Sequence, residues 1–462
     1  MSLAGWLLGA LLAAAAVAEP AALSSEESLT LLSRLSSADE GARASARVAL
    51  VRSKDRSLLP HLVDALFFAS SESRADVVAC LEGISGEALG RNYRYWVEYI
   101  GGRPEILPKA GYRTWKASLF ARIDPAFAGW LGEAVPLAIR PEEIVWGGVK
   151  KDGIPALVSP PAVRAEEARY LDGSDVVFGV AFSGEARAYP QRILDWHEMV
   201  NDKVGGQAFA LSYCTLCGSA IAFATGLSDG SSIVFGSSGL LYRSNKLMYD
   251  RKTESLWSNL TGLPVGGALL DKGVSLPVLP VTVTSWADWR AAHPNTTVLS
   301  ESTGFERDYT PGAAYGRYFA SPETMFPVWK RDTRLPPKSW IFALRQGAAA
   351  RAYPLETLLA ERVTNDRIGN LDVVLVSNPE SGAVRAYRSE GRELVEGTSK
   401  NMVRDVRTGE AFEVREEGLI PSAGGTALAR VPGHRAYWFG WYAFFPDTTL
   451  YEGCLAGRGG AR

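Results

Sequence analysis

The chain has 462 residues, too many for one ordinary hydrophobic core, so two or three domains are expected. Hydrophobic residues make up 47% and charged residues 22%, the balance of a water-soluble globular protein. With 49 basic and 51 acidic residues the charges nearly cancel, which excludes the basic footprint of a nucleic-acid binder.

The first stretch, MSLAGWLLGALLAAAAVAEP, is uncharged and apolar and ends in Ala16-Val17-Ala18. Small residues at Ala16 and Ala18 fit the cleavage site of a secretory leader over residues 1–18, although the usual basic start is missing. A mature chain beginning at Glu19 and exported to the periplasm or outside the cell is therefore expected. A buried N-terminal helix is the alternative. No later run reaches the roughly 18 apolar residues that a membrane span needs, so no integral segment is expected after cleavage.

Residues 19–105 read as a small all-α domain. Ser24-x-x-Glu27 and Ser37-x-x-Glu40 have the pattern of capping boxes, in which hydroxyl and carboxylate satisfy exposed N–H groups at a helix start. Leu58, Leu59, Leu62 and Leu66 recur at helical spacing after Asp55, and a further helix runs through Val77, Val78 and Leu81. Short paired helices of this kind are HEAT-like, and their expected role is bracing or binding a protein partner. Residues 106–140 read as a connecting segment.

From residue 141 the texture becomes β-rich. DVVFGVAF, QAFALSY, SAIAF and SSIVF are short β-branched or aromatic runs bounded by Gly, Ser and Asp. A proline-marked stretch, TRLPPKSW, separates a first half (141–330) from a second (331–462). The second half reads as a copy of the first. EARAYPQRILDWHEMVNDKVGGQAFALSYCTLCGSAIAF lies without a gap over AARAYPLETLLAERVTNDRIGNLDVVLVSNPESGAVRAY, at an offset of 164 residues. SWADWRAAHPNTTVL lies over YWFGWYAFFPDTTLY at an offset of 152, placing Trp286 and Trp289 on Trp438 and Trp441. The expected fold is α+β: a duplicated β-rich domain of two homologous halves behind the helical domain. Positions shared by both halves, Arg-Ala-Tyr-Pro and Asn-Asp, read as scaffold, a strand end and a turn.

The cysteines are not shared. Cys214 and Cys217 correspond to Asn378 and Ser381, while Gly218 corresponds to Gly382, so the turn is expected to fold without sulfur. Three readings of Cys214-Thr215-Leu216-Cys217-Gly218 stand side by side. A structural disulfide would close a very short loop and gain least. A thiol–disulfide redox pair suits an exported protein, but the following SAIAFATG looks like a strand, without the helix N-terminus that stabilises a thioredoxin-type thiolate. A metal knuckle places two thiolates on one ion while turn N–H groups hydrogen-bond the sulfurs.

Of four histidines, His197 in RILDWHEMV is the candidate third ligand, with Asp195 or Glu198 to orient its ring, against the alternative of an ordinary helix-face histidine. The expected cofactor is one copper or zinc ion on Cys214, Cys217 and His197. His434 is a weaker candidate, and Met248 and Met325 read as core before ligand. His61 and His293 look like surface residues, Cys80 a buried thiol and Cys454 a tail thiol. Ser238 and Tyr242, in GSSGLLYRSN, read as a tight strand connection before a pocket wall. Phosphate-cradling and nucleophile-elbow motifs, H-E-x-x-H and nucleotide or flavin signatures are absent from the sequence.

The run EIVWGGVKKDGIPAL … RAYPQRILDWHEMVND … LSYCTLCGSAIAF … SGLLYRSNKLMYDRKTESLWS … PVTVTSWADWRAAHPNTTVLS resembles a large family of exported bacterial and archaeal proteins. That family is defined as a domain of unknown function with a Tyr-Cys-x-Leu-Cys-Gly signature. The resemblance covers residues 141–455 and implies domain identity and export. The family commonly has proline where Thr215 stands, a loss of turn rigidity that removes no ligand. Three functions therefore remain in view: metal binding through Cys/Cys/His with or without redox chemistry, a thiol–disulfide oxidoreductase, and a non-enzymatic partner-binding module.

Overall fold

The computed structural model describes residues 23–453, so the expected leader and Cys454 lie outside the described residues. The chain divides into two compact units, residues 1–92 with 106–111, and residues 93–105 with 112–462.

The first unit is helical: Ser25–Arg34, Glu40–Ser53, Leu59–Phe68 and Arg74–Ser85. The capping box at Ser24 forms as expected, with reciprocal bonds to Glu27 of 2.8 and 3.1 Å. The second helix is capped differently. The Asp39 side chain accepts the N–H groups of Gly41 and Ala42, and Ser37 only receives the N–H of Asp39. A carboxylate one residue from the first turn serves the positive end of the helix better than a neutral hydroxyl three residues away. Leu32, Leu50, Leu58, Leu62, Leu81 and Cys80 fill the core of this unit. His61, expected at the surface, is buried with them, and burial holds its pKa down to about 4.

The second unit is mixed α+β. The stretch read as a connection carries two helices, Tyr112–Phe120 and Ala126–Leu131, whose buried Trp115, Phe120, Phe127 and Trp130 give them a packed face. Beyond them lie five sheets. The order strand, strand, short helix, strand, strand, strand occurs twice. It runs Val176–Phe182, Glu185–Pro190, Gln191–His197, Met199–Val204, Gln207–Cys214, Ser219–Ala224, and again Trp340–Gln346, Ala349–Pro354, Leu355–Glu361, Val363–Ile368, Leu371–Asn378, Ala383–Arg388. Outer strands repeat as well. Thr282–Ser285 and His434–Tyr437 pair antiparallel with the first strand of each set, and Thr297–Leu299 and Thr449–Leu450 pair parallel with the second.

Side-chain networks repeat with the strands. The Tyr189 hydroxyl donates to Asp202 and the Tyr353 hydroxyl to Asp366, each at 2.7 Å, beside Arg187 and Arg351. Asn201 braces Phe235 through both backbone groups, and Asn365 does the same for Leu394. Asn-Asp is thus part of a strand, not a turn. Its side chains tie that strand to its neighbours, because buried amides and carboxylates must find partners. The indoles of Trp289 and Trp441 donate to Thr296 and Thr448 at 2.9 and 3.0 Å. No described helix is long and apolar enough to cross a membrane.

Candidate functional site

Cys214 ends one strand and Ser219 opens the next, paired across a four-residue turn. The turn closes through the Cys217 N–H to the Cys214 carbonyl at 3.2 Å. Gly218 sits at φ 62°, and Gly382 in the corresponding turn sits at φ 73°. Glycine is the residue that takes this left-handed conformation without strain. At Gly218 space also demands it, since a Cβ there would lie 2.4 Å from the Trp340 ring.

Both thiols are free and enclosed, Cys214 1% exposed and Cys217 0%. The Tyr318 hydroxyl donates to the Leu216 carbonyl at 2.5 Å, and the Tyr437 N–H donates to the Cys217 carbonyl at 2.7 Å. Gly440 approaches so closely that a Cβ would stand 2.8 Å from Cys217 Cβ and 2.9 Å from its sulfur. Cys217 donates to the Ser244 carbonyl at 3.1 Å.

The two sulfurs are electrostatically unequal. Burial pushes the Cys214 thiol up, but the Cys217 thiol and the N–H groups of Lys246 and Cys217 outweigh it and hold it below the ordinary thiol range. Burial and the neighbouring Cys214 sulfur push Cys217 well above that range. Hydrogen bonds favour the charged form that accepts them, and a second thiolate beside the first is disfavoured.

A buried polar cluster backs the turn. Glu198 takes φ 53°, and its carbonyl receives the Tyr213 N–H at 2.9 Å and the Lys246 ammonium at 2.6 Å. Its carboxylate accepts the Thr215 hydroxyl at 2.9 Å and lies 3.8 Å from Lys246. Burial raises the Glu198 pKa and lowers that of Lys246. Burial and the Glu198 charge raise Asp195 to about 8. The sequence reading placed Asp195 and Glu198 behind His197; Glu198 in fact stands behind the cysteine turn. Lys246, Ser244 and Gly440 were not anticipated, because a lysine, a serine and a glycine far along the chain carry no motif.

His197 is turned elsewhere. It is fully buried, with Nδ1 2.8 Å from the Pro155 carbonyl and Nε2 2.6 Å from the Tyr309 hydroxyl. A carbonyl only accepts, so Nδ1 carries the proton and Nε2 accepts from Tyr309. Its lone pair is spent on that bond, and burial keeps the ring neutral by lowering its pKa. Among the described residues, no three His, Cys, Asp or Glu side chains gather into a group that could hold a metal ion. His197 is therefore not brought together with Cys214 and Cys217 in such a group. Cys214 and Cys217 themselves remain neighbours on one turn, the only part of the expected ligand set that the fold assembles.

The other candidates fall into place as structure. Met248 is buried in the core and Met325 is exposed. His293, expected at the surface, is half-buried against Trp289, and His434 stands beside Trp441. Ser238 and Tyr242, expected in a tight connection, lie within the strand Phe235–Tyr242, where the Ser238 hydroxyl donates to the Leu247 carbonyl of the paired strand at 2.7 Å; only Arg243 and Ser244 make the turn. Burial pushes the Cys80 thiol up to about 12.

The family model described as "Protein of unknown function (DUF3179)" matches residues 151–448. The chain belongs to that family. The matched span contains the cysteine turn, its polar backing and both strand sets, so the two halves together form the family's unit. No curated protein and no solved structure matches the chain.

Proposed function

We propose that the Cys214–Cys217 turn is a two-thiol site for a soft monovalent cation, Cu(I), in an exported protein. The observation that carries this reading is a pair of free, buried sulfurs on one enclosed turn. Thiolates favour soft and borderline ions such as Cu(I) and zinc over hard ones, and of these Cu(I) can be held by two sulfurs alone. Zinc takes four ligands, which leaves the expected Cys/Cys/His zinc reading without its remaining donors. The Lys246 ammonium and the turn amides face the negative charge that two thiolates would bring.

Reduced full-length protein is expected to retain one Cu(I) per chain against a colorimetric Cu(I) chelator. Cys214→Ser and Cys217→Ser should release it, and His197→Gln should keep it. Release of copper from wild type as readily as from Cys217→Ser overturns the proposal. A second reading, a dithiol–disulfide couple, is favoured by the opposite displacement of the two thiols. It is supported instead if wild type holds no copper but forms a reversible Cys214–Cys217 disulfide.

We also infer that the two halves descend from one duplicated segment, and that the sulfur site was added to one copy. The repeated element order and the repeated Tyr–Asp, Asn and Trp–Thr bonds support this. The small apolar leader over residues 1–18 supports export, and intact mass of protein recovered from the cell envelope tests it.

A further inference from the structure

A cavity of about 310 Å³ opens where the strand Trp340–Gln346 and the strand His434–Tyr437 meet the end of Leu428–Val431. Its polar lining consists of Arg345, Gln346, Arg388, Arg430 and His434, above an apolar floor that includes Ile221 and Leu260. No carboxylate lines it. Strand register explains the convergence: His434 lies opposite Ala343, and Arg345 follows two residues on, on the same face.

The charges here are not balanced within the cavity. Arg430 is the one guanidinium with a carboxylate near, Glu416 at 3.8 Å, and Glu416 is already claimed by Arg385 at 2.7 Å. The Arg430 side chain is only 6% exposed; its terminal nitrogens donate to the Tyr387 hydroxyl at 3.2 Å and the Thr282 hydroxyl at 3.1 Å, which leaves only its Nε without a partner, and Nε2 of His434 has none either. Arg345 rests on the Phe445 ring, 4.5 Å from its centre, and makes no ion pair among the described residues. After burial itself, Arg345 is the second cause that holds His434 down to about 4, which places their charges within reach of one another. Donors left without partners around a partly dry space are costly, and buried polar groups are as a rule satisfied.

We propose that this cavity binds a small oxyanion, held by the guanidinium groups of Arg345 and Arg388 with His434 beside them. A guanidinium presents its N–H groups as a planar fork that matches phosphate, sulfate or carboxylate oxygens. The cavity volume admits any of these as a free ion or as the end group of a small metabolite. The proposal is independent of the cysteine site.

Calorimetric titration of the full chain with inorganic phosphate, sulfate and succinate, at one ionic strength set by chloride, tests it. At least one of the three is expected to bind saturably with one site per chain. Arg345→Gln and Arg388→Gln should each weaken that binding about tenfold or more, while Arg407→Gln, an exposed arginine on a distant turn, should leave it unchanged. The anion that binds tightest separates phosphate-type from carboxylate ligands. Saturable binding by none of the three, or equal losses in Arg345→Gln and Arg407→Gln, overturns the proposal.

Discussion

Gly218 and Gly382 occupy the same place in two turns, and alanine at each separates backbone strain from crowding. Both sit at positive φ, 62° and 73°. Alanine in that conformation costs about 1–2 kcal/mol, partly offset by the roughly 0.4–1 kcal/mol gained when the unfolded chain loses glycine's freedom. These two contributions are common to both sites and cancel in the comparison. The surroundings are not common. A Cβ at Gly218 would meet the Trp340 ring at 2.4 Å, whereas at Gly382 its nearest neighbour is an Arg435 nitrogen at 3.7 Å. Trp340 is held against Tyr437 at 4.1 Å and beneath the Arg435 guanidinium at 4.6 Å, so its ring has little room to withdraw. Overpacking of this kind costs about 1–3 kcal/mol, and Gly218→Ala should exceed Gly382→Ala by that difference. Urea unfolding followed by a probe in the β-rich unit gives both values, with an unchanged slope required for each variant. In a Trp340→Leu background the excess should shrink. Equal costs at the two glycines, or an excess that survives loss of Trp340, would refute the reasoning.

Further outcomes follow from the charges. His434 has a folded pKa of about 4, below its ordinary 6.5, so between those values the unfolded chain binds a proton that the folded chain refuses. Stability of the β-rich unit should therefore fall as pH drops from 6.5 to 4, and His434→Gln should flatten that fall; an identical curve in the variant would contradict it. Burial alone would raise Glu416, but Arg385 and Arg430 outweigh it and hold it to about 2, so its contribution is present above its ordinary 4.5. A second loss, visible as further unfolding between pH 4.5 and 2, is the expected sign. Lys246→Met removes the ammonium from beside Glu198 and Cys214 while keeping its backbone N–H. Stability should drop by about 3 kcal/mol, as when one partner of a buried pair is lost, and the ultraviolet thiolate signal should appear at higher pH than in wild type.

Much of this architecture was legible because it is local or repeated. The helical leucines from Leu58 to Leu66, the Ser24 capping box and the strand texture around DVVFGVAF each state their conformation in a few neighbouring residues. The aligned Tyr and Trp positions read as scaffold, and the Tyr–Asp and Trp–Thr bonds occur at both members of each aligned pair. What stayed hidden depends on chain crossings. His197 is close to Cys214 in sequence, yet its nitrogens go to Pro155 and Tyr309, forty-odd and more than a hundred residues away. Spacing to a cysteine says nothing about where a ring points. Lys246 and Gly440 reach the turn from distant strands and helices, and neither residue type announces a site.

The two turns differ in what they face. The second-half turn lies against the helix Trp286–Ala292 of the first half. There Asn378 and Ser381 donate to the Asp288 carboxylate at 2.9 and 3.2 Å. The cysteine turn lies against the helix Trp438–Tyr442 of the second half, where the residue aligned with Asp288 is Gly440. Where one turn has serine facing aspartate, the other has cysteine facing glycine. A carboxylate at Gly440 would bury a negative charge against a sulfur poised to become a thiolate, and it would occupy the space that sulfur fills. Cysteine on the turn and glycine on the opposing helix therefore fit one another. The turn does fold without sulfur, but only with a different partner across from it. A variant that restores polarity on one side alone, Gly440→Asp, breaks that correspondence while leaving both cysteines in place.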